Sequence, residues 1–395
     1  MYNRYQRPNN SRRFFRPNRF GRKRVNSNVV YSYIEKAAQS KHIATEVIVP
    51  NTVLFNELEI NQTIKRNISQ AGLSQLTPIQ VKGIPAILSG KNVIGIANTG
   101  TGKTAAFLIP LIENIFKNNS YKALIITPTR ELALQIRDEL RKFSYGMNIY
   151  STLCIGKSSI SNQIYDLRRN PHVVVGTPGR IKDLIERKVL KLSEFQTVVL
   201  DEVDQMLDMG FINDVRHIIS FLPEKRQSLF FSATVSSEIN RLIQSFAPDP
   251  VVISVKTQES RSNIQHTVHK IQNGETKMQI LDSLLKKEEF KKVLVFGRTK
   301  MGVEKLSREL FDKGHKVASI HGDKPQFKRQ QAIRYFKEDV VKVLVATDVA
   351  ARGLDIANIT HVINYDVPES YETYIHRTGR TGRVEQKGIA LTIIE

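Results

Sequence analysis

The chain has 395 residues, of which 41% are hydrophobic, so it is long enough for two domains with cores of ordinary size. Its formal net charge is +21 at pH 7, which favours a polyanionic partner such as nucleic acid. No apolar run approaches the roughly 18 residues of a membrane-spanning helix, so we expect no membrane partner. The single cysteine, Cys154, excludes an internal disulfide and favours a reducing compartment, the cytoplasm.

Positive charge is concentrated at the N-terminus. Residues 1–24 contain nine arginines or lysines and no acidic residue, with five aromatic residues among asparagines and prolines. Such a composition cannot fill a core, so we predict a disordered basic tail over residues 1–40, in which residues 29–39 could form one short helix. Because cations suit phosphates and aromatic rings suit unpaired bases, the favoured role is a nucleic-acid tether. A solubilising or targeting tail is the alternative.

From residue 52 onward, short apolar runs alternate with helix-length segments, a pattern typical of a parallel sheet covered by helices on both faces. A polar stretch at 255–264 interrupts the pattern and is the predicted linker. The sequence therefore predicts two tandem α/β domains, at 52–254 and 265–395. The predicted strands are Val93–Ile96, Ala123–Thr127, Val173–Val175, Val198–Leu200, Ser228–Phe231 and Val251–Ile253, then Val293–Phe296, Val317–Ile320, Val343–Ala346, His361–Asn364 and Gly388–Ile394.

A glycine-rich loop follows the first predicted strand and leads into an apolar helix. This arrangement is typical of a phosphate-binding loop, in which backbone N–H groups surround the phosphates. Lys103 adds a positive charge for the outer phosphates, and the Thr104 hydroxyl can hold Mg²⁺. The first glycine of the usual pattern is Ala97 here, so an ordinary glycine turn is the alternative. The loop residues predicted to bind nucleotide are Thr99, Gly100, Thr101 and Gly102.

Two adjacent carboxylates, Asp201 and Glu202, come directly after another predicted strand. Because ligands gather at the carboxyl ends of parallel strands, we expect this pair beside the phosphate-binding loop. Asp201 would hold Mg²⁺ through water, and Glu202 would orient and deprotonate the attacking water. An Asp-Glu pair taken alone is more often a surface pair.

With this glycine-rich loop and this pair of carboxylates, the chain resembles the DEAD-box family of RNA helicases over about residues 52–395. Asp201-Glu202-Val203-Asp204 stands in the place of the signature tetrapeptide. The resemblance implies two tandem RecA-like domains, ATP and Mg²⁺ as cofactors, and RNA as the partner. It also implies an adenine-reading segment, in which Gln80 hydrogen-bonds the adenine edge and Phe55 stacks near it. A helix-start amide and a core residue are the alternatives for these two.

The resemblance further implies contacts with the RNA backbone from both domains, which position RNA without reading its sequence. In the first domain the matching residues are Pro128, Thr129, Arg130, Gly156, Thr177, Gly179 and Arg180. In the second domain they are Arg298, Gly322, Gln326, Arg329, Thr347 and Arg352. Arg130 and Arg180 could instead pair with nearby acids.

Catalytic roles are implied by the same resemblance. Arg380 and Arg383 would be arginine fingers that neutralise charge on the transferred phosphate, and His376 would support the interdomain network. Asp355 would contact the ATP ribose. Ser232 and Thr234 match a coupling motif whose hydroxyls relay hydrogen bonds between the carboxylates and the partner domain, with a plain strand-end turn as the alternative.

The chain departs from the family pattern at a few places. Leu76 replaces a proline, Val203 an alanine, and Lys157 the second glycine of a Gly-Gly pair, which adds a cation where RNA should pass. The chain stops directly after a predicted strand, so the second domain was expected to lack its last helix.

The predicted function is RNA-stimulated ATP hydrolysis coupled to domain closure and local unwinding of short RNA duplexes. A DNA-directed superfamily 2 helicase is one alternative, and an RNA clamp or scaffold with little unwinding is the other. We expect a monomeric core, with ribonucleoprotein, ribosome-assembly or RNA-decay proteins as candidate partners. Backbone contacts do not identify the RNA target.

Overall fold

The computed structural model describes residues 27–39, 53–98, 100–234, 237–255, 263–272, 274–351, 354, 356–382 and 387–394. Most of the predicted tail and linker lie outside the described residues, as do four predicted site residues: Thr99, Arg352, Asp355 and Arg383. Within the described ranges, no helix has both the length and the apolar character needed to cross a bilayer.

The first domain is a parallel sheet of seven strands with helices on both faces. Its strand order is β3-β4-β2-β5-β6-β1-β7. The strands are β1 Val93–Ala97, β2 Ala123–Ile126, β3 Ser151–Cys154, β4 Val173–Gly176, β5 Thr197–Asp201, β6 Gln227–Ser232 and β7 Val251–Val255. After α1 Ser27–Gln39, the helices are α2 Gln62–Gln70, α3 Pro78–Leu88, α4 Lys103–Lys117, α5 Arg130–Phe143, α6 Ile160–Arg168, α7 Pro178–Glu186, α8 Val203–Asp208, α9 Ile212–Ile219 and α10 Ser237–Phe246.

The second domain repeats this plan with six parallel strands in the order β10-β11-β9-β12-β13-β8. The strands are β8 Ile264–Lys270, β9 Val293–Phe296, β10 Val317–Ile320, β11 Val343–Ala346, β12 His361–Asn364 and β13 Gly388–Ile394. The helices are α11 Lys277–Leu285, α12 Lys300–Asp312, α13 Gln326–Lys337, α14 Asp348–Ala351 and α15 Tyr371–Thr378. The predicted fold class, two tandem parallel-sheet domains, is confirmed.

Central strands form from β-branched and other apolar runs that are buried on both faces, as in β2, β4 and β9. Helices begin where a polar side chain caps the first turn. Thr129 Oγ1 accepts a hydrogen bond from the Leu132 N–H at the start of α5, and Thr77 and Gln80 form a capping box at the start of α3. These caps fix where the loops after the strands turn, and the predicted site residues lie on those loops.

Two strands, β3 and β8, are absent from the sequence-based prediction. Both are edge strands: β3 alternates between buried and partly buried residues, and β8 has no fully buried residue. An edge strand needs no continuous apolar run, so the signal that marks central strands is weak in them. Residue 264, placed in the linker by the sequence, begins β8, and Val255 ends β7.

Within the predicted tail 1–40, residues 27–39 form α1. Its 13 residues place Val30, Tyr33 and Ala37 on one face, and these side chains are buried against the second domain. The short helix over 29–39 that the sequence allowed is therefore present, and tertiary packing stabilises it.

The close packing between β1 and β6 predicts how one added methyl group would change the free energy of unfolding. A Cβ on Gly95 would lie 2.5 Å from a ring carbon of Phe231, which is fully buried. We expect Gly95→Ala to lower the free energy of unfolding by about 1–3 kcal/mol, because the ring cannot move without disturbing the core. Thermal or denaturant unfolding of the purified chain measures this change.

Gly83→Ala is the matched control. Gly83 lies inside α3, where a Cβ would meet its nearest neighbour at an ordinary 3.8 Å. This variant should be neutral or more stable by up to about 1 kcal/mol, because alanine favours helix over glycine. Equal losses in both variants would contradict the packing argument.

Candidate active site

The phosphate-binding loop is built as the sequence predicts, between β1 and α4. Gly100 and Gly102 have φ angles of 87° and 89°, a region that glycine adopts without a Cβ clash. Lys103 begins α4, and its side chain is buried with Nζ donating a hydrogen bond to the Ala97 carbonyl at 2.9 Å. The Thr101 hydroxyl donates to the Asn98 carbonyl at 2.8 Å and closes the turn. The loop therefore directs one ammonium group and the N-terminus of a helix toward the same space.

Gln80 connects the predicted adenine-reading segment to this loop. Its Nε2 donates to the Gly102 carbonyl at 3.0 Å, and its Oε1 accepts from the Thr77 N–H at 2.9 Å. Gln80 therefore has the alternative role given in the sequence analysis, an amide at the start of a helix. It also supports the phosphate-binding loop directly. Phe55 is 2% exposed within the first-domain core, which supports its alternative as a core residue. Adenine contact by either residue stays a prediction.

Asp201 and Glu202 are buried at the end of β5. Glu202 has φ 57° and ψ 53°, a left-handed conformation that is costly for a residue other than glycine. Its N–H donates to Asp201 Oδ1 at 3.0 Å, and its Oε2 is buried with no hydrogen-bond partner. Such an orphaned, strained carboxylate points to a functional group and contradicts the surface-pair alternative.

Burial raises the pKa of both carboxyl groups above their ordinary values. For Glu202 the neighbouring Asp201 charge raises the pKa further, while Arg380 and Lys103 lower it. For Asp201, Lys103 is the main opposing influence. Two buried carboxylates therefore face cations contributed by both domains.

Asp204 organises the coupling motif, and the sequence analysis missed it. Its Oδ2 accepts hydrogen bonds from the N–H groups of Ala233 and Thr234, both at 3.0 Å, and from Thr234 Oγ1 at 3.2 Å. The Asp204 N–H in turn donates to Ser232 Oγ at 3.3 Å. Ser232 and Thr234 therefore contact Asp204 directly. Its place in the first turn of α8, two residues after Glu202, was the available signal.

Arg380 brings the second domain to the carboxylates. It is 4% exposed, its Nη1 donates to the Leu354 carbonyl at 3.0 Å, and its Nε donates to the His376 carbonyl at 3.3 Å. Arg377 is held inside the second domain, where it pairs with Asp348 at 2.5 and 2.8 Å. The two neighbouring arginines thus differ: Arg377 stabilises its own domain, and Arg380 acts on Glu202.

A buried ion pair joins the domains at a second place. Arg329 Nη2 lies 2.7 Å from Glu131 Oε2, and Gln326 Nε2 donates to Glu131 Oε1 at 3.0 Å. All three side chains are less than 10% exposed. The sequence predicted Gln326 and Arg329 as RNA contacts, but here both bind a first-domain carboxylate. Contact with RNA by either residue stays a prediction.

Next to this pair lies a cluster of arginines. Burial and the charges of Arg329 and Arg180 lower the pKa of Arg130. Gly156 leaves room for the Arg130 guanidinium, since a Cβ there would lie 3.3 Å from Nη2. Arg180 Nη1 donates to Gln163 Oε1 at 3.0 Å, and its Nε lies 3.7 Å from Asp183 Oδ2, so the ion-pair alternative is confirmed for Arg180. Repelling cations held at one place favour an anion such as phosphate.

The other predicted RNA contacts lie on loops after strands. Pro128 and Thr129 precede α5 and are buried, whereas Gly179, at the start of α7 after Thr177, is exposed. In the second domain Thr347 is buried after β11, and the Arg298 side chain is 45% exposed.

Lys157 crosses the domain boundary. Its Nζ contacts the Gly322 carbonyl and lies 4.0 Å from Asp323 Oδ1. Its backbone φ of 56° lies in the region that glycine favours.

The side chains at this site would hold Mg²⁺ only together with further ligands, such as water and phosphate oxygens. Among the described residues no group of three histidine, cysteine or acidic side chains could hold a metal ion. Mg²⁺ commonly takes one or two protein ligands and completes its shell with water and phosphate oxygens. The Asp201 carboxylate, buried at the end of β5 and close enough to Lys103 for that charge to act on its pKa, matches that chemistry.

Comparison with known proteins gives the family. Residues 77–242 match the DEAD/DEAH box helicase family, and residues 276–385 match the helicase conserved C-terminal domain. The DEAD-box ATP-dependent RNA helicase CshA of Geobacillus kaustophilus is 46% identical over 342 residues, which are 86% of this chain and 73% of that protein. The chain belongs to the DEAD-box helicase family.

The ATP-dependent RNA helicase CshA of Listeria monocytogenes is also 46% identical, over 86% of this chain and 66% of its own length. The chain thus spans about two thirds of these relatives.

Solved helicase structures share the two-domain arrangement. S. cerevisiae Dbp5 bound to RNA and ADP BeF3 is 31% identical, with a TM-score of 0.77 over 87% of this chain and 89% of that one. Mss116p bound to single-stranded RNA and AMP-PNP is 29% identical, with a TM-score of 0.78 over 87% and 75%. S. cerevisiae Dbp5 bound to a Gle1 variant and IP6 matches this chain with a TM-score of 0.69. The higher scores of the RNA-bound forms agree with the interdomain contacts described here.

The raised pKa of Glu202 makes a prediction about stability. A carboxyl whose folded-state pKa is raised stabilises the fold at low pH and loses that stabilisation as pH rises through the folded-state value. We expect Glu202→Gln to raise the free energy of unfolding at pH 8 by about 1–3 kcal/mol, a gain that disappears near pH 4. Thermal unfolding of the ligand-free protein across this pH range measures it.

Glu194→Gln is the control with the opposite sign. Glu194 lies at the surface, where its ion pair with Lys122 lowers its pKa. Its replacement should not stabilise the protein at pH 8. A pH-independent gain for Glu202→Gln would contradict the burial argument.

Proposed function

We propose that this chain is an ATP-dependent RNA helicase whose catalytic centre is divided between its two domains. The observation that carries the proposal is the environment of Glu202. Its buried carboxylate lies at a strand end of the first domain and experiences the charges of Lys103 from that domain and Arg380 from the second. A carboxylate base that is buried away from water and lies near two positive charges suits the hydrolysis of a highly charged anion such as ATP.

Each polar group then has a defined task in ATP hydrolysis. Lys103 and the N–H groups at the start of α4 bind the phosphates, and Glu202 accepts a proton from the attacking water. Arg380, with Arg383 as a second predicted finger, stabilises negative charge that develops on the transferred phosphoryl group. Mg²⁺, held near Thr104 and Asp201, neutralises charge on the phosphate oxygens when it is bound.

The arginine cluster at the domain boundary is the proposed RNA path. Arg130 and Arg180 belong to the first domain, and Arg329 belongs to the second. Arg298, elsewhere on the second domain beside Val367 and Glu369, is a further predicted contact. A strand held by its backbone across both domains is incompatible with a straight duplex, so closure opens a short helix locally. ATP favours closure because only the closed arrangement contacts the phosphates from both sides.

Asp201-Glu202-Val203-Asp204 is proposed as this chain's form of the family tetrapeptide. Val203 is fully buried in the first-domain core, which accommodates its larger side chain beside the carboxylates. We further propose a monomeric core, a reducing cytoplasmic location and ribonucleoprotein substrates. Residues 1–24 supply a nucleic-acid tether in this proposal.

The choice of nucleic acid is tested by ATPase stimulation. We expect single-stranded RNA to stimulate hydrolysis at least tenfold more than DNA of the same sequence, because 2′-hydroxyl contacts distinguish the two. Glu202→Gln should hydrolyse at least 100-fold more slowly while still binding RNA in the presence of ATP, since only the base is lost. Steady-state ATPase and fluorescence-anisotropy titrations measure both quantities.

Equal stimulation by DNA would favour a superfamily 2 helicase that acts on DNA. RNA-stimulated hydrolysis with no strand displacement would favour the clamp. Normal hydrolysis by Glu202→Gln would refute the assignment of the base.

The Asp204 network predicts a variant that separates hydrolysis from unwinding. Asp204→Asn weakens the hydrogen bonds from Ala233 and Thr234 by about 1–3 kcal/mol, because the accepting oxygen loses its charge. We expect duplexes unwound per ATP hydrolysed to fall about tenfold, while ATPase falls less than threefold. Parallel unwinding and ATPase assays give this ratio.

Asp138→Asn makes the same chemical change at a 55% exposed side chain, which forms a surface ion pair with its neighbour Arg137 at 2.9 Å. It should leave the ratio unchanged. A parallel loss of unwinding and ATPase in Asp204→Asn would assign Asp204 to hydrolysis itself.

A further inference from the structure

Helix α1 precedes the first domain in sequence but packs on α15 of the second domain. Val30 is buried against Val367 and Ile394, and Tyr33 is buried against Tyr374 of α15. A helix of 13 residues alone is marginal in water, so this packing stabilises α1 in its helical conformation. One side of α15 is therefore covered by a segment that comes from the other end of the chain.

The contact between the two helices is centred on Tyr33. Its ring centroid lies 6.0 Å from that of Tyr371 and 5.9 Å from that of Tyr374, and Ile375 packs against the same cluster. The Tyr33 hydroxyl donates to the Glu369 carbonyl, just before α15, at 3.5 Å. Because residues 371, 374 and 375 are three or four positions apart, they form one face of α15. Tyr33 packs on that face.

Tyr374 connects α1 to the sheet of the second domain. It is fully buried, and its hydroxyl is hydrogen-bonded to His266 Nδ1 at 2.6 Å. His266 belongs to β8, and its ring centroid lies 5.6 Å from that of Tyr374. The Tyr374 ring is therefore held between α1 and β8, and loss of the Tyr33 ring would leave it in contact with only the second of these two elements.

The last turn of α15 holds Arg380. The Ile375 carbonyl accepts a hydrogen bond from the Gly379 N–H at 2.9 Å, and the His376 carbonyl accepts one from Arg380 Nε at 3.3 Å. The Arg380 N–H donates to the Arg377 carbonyl at 3.1 Å. Three successive carbonyls of α15 thus fix the segment that carries the predicted arginine finger, so a displacement of α15 moves the Arg380 guanidinium with it.

We propose that Tyr33 is a positioning residue for ATP hydrolysis: it packs on α15 and thereby holds the Arg380 guanidinium in the position from which its charge acts on Glu202. Tyr33 acts through the helix, because its ring contacts are on α15. The inference rests on the proposed function, in which Arg380 stabilises charge on the transferred phosphoryl group. Misplacement of a catalytic group by about 1 Å can cost about 100-fold in rate, so even a small shift of α15 should be measurable.

A double-mutant cycle tests this role in the full chain, saturated with single-stranded RNA. We expect Tyr33→Ala to lower kcat about tenfold and to change KM for ATP less than twofold, since the phosphate-binding loop belongs to the first domain. Arg380→Ala should lower kcat at least 100-fold, because the finger itself is lost. In the Arg380→Ala background, Tyr33→Ala should change kcat less than twofold, since no guanidinium remains to be misplaced. Single-turnover hydrolysis with excess enzyme measures the slow variants.

Two further variants separate the positioning of Arg380 from a general effect on α1. Tyr33→Phe keeps the ring and should retain at least half of kcat, because only the hydroxyl contact with the Glu369 carbonyl is lost. Tyr31→Ala makes the same substitution at a 40% exposed side chain of α1 and should leave kcat unchanged. A tenfold loss in Tyr31→Ala as well would contradict a specific role of the Tyr33 ring.

Tyr33→Leu keeps the test decisive if Tyr33→Ala does not fold, since leucine leaves an apolar side chain against α15 but lacks the ring. It should lower kcat about threefold, and this loss should also disappear in the Arg380→Ala background. A loss that persists there in full, or an unchanged kcat in both Tyr33 variants, would overturn the positioning role and leave the helicase proposal intact. Normal kcat in Arg380→Ala would contradict the arginine finger of the proposed function, and with it this inference.

Discussion

The arrangement of this protein depends on keeping two carboxylates out of water at the end of β5. Burial makes the charged forms of Asp201 and Glu202 unfavourable, and the nearby positive groups Lys103 and Arg380 offset only part of that cost. Since Arg380 belongs to the second domain, its share of this compensation is present only when the domains lie together. A local electrostatic requirement of the first domain thereby becomes a reason for the two domains to approach.

The Glu131–Arg329 ion pair also depends on the two domains lying together, and it lies beside the predicted RNA contacts. Both groups are nearly inaccessible to solvent while the domains are together, and separation of the domains returns them to water. A buried ion pair contributes little net stability but imposes a specific geometry. Glu131 therefore fixes one point at which α5 of the first domain meets α13 of the second, next to Arg130.

Much of the fold and part of the site were predictable from the sequence. Lys103, Asp201 and Glu202 follow apolar runs whose burial makes them central strands, so their convergence at one sheet edge follows from topology. The edge strands β3 and β8 were not predictable in this way, since half-buried strands lack a continuous apolar signal. Helix α1 has a recognisable pattern, but nothing local indicates that it packs on the more distant domain.

The partners of polar side chains were the least predictable part. Gln80 supports the phosphate-binding loop, and Asp204 holds the loop at Ala233 and Thr234; neither contact follows from residue type. Hydrogen-bond partners depend on how loops from separate strands meet, and that information is distributed over the whole chain. Gln326 illustrates the limit, because nothing in its residue type or motif indicated the hydrogen bond that it donates to Glu131.

Lys157 stands where the family pattern has glycine, and it shows how one such replacement affects the boundary between the domains. A side chain at φ 56° costs the backbone about 1–2 kcal/mol, and the ammonium group it carries reaches Gly322 and Asp323 across the gap. Because this contact is largely exposed, dissolved ions weaken it readily. Dissolved salt should therefore weaken the Lys157 contact between the domains more than it weakens the buried Glu131–Arg329 pair.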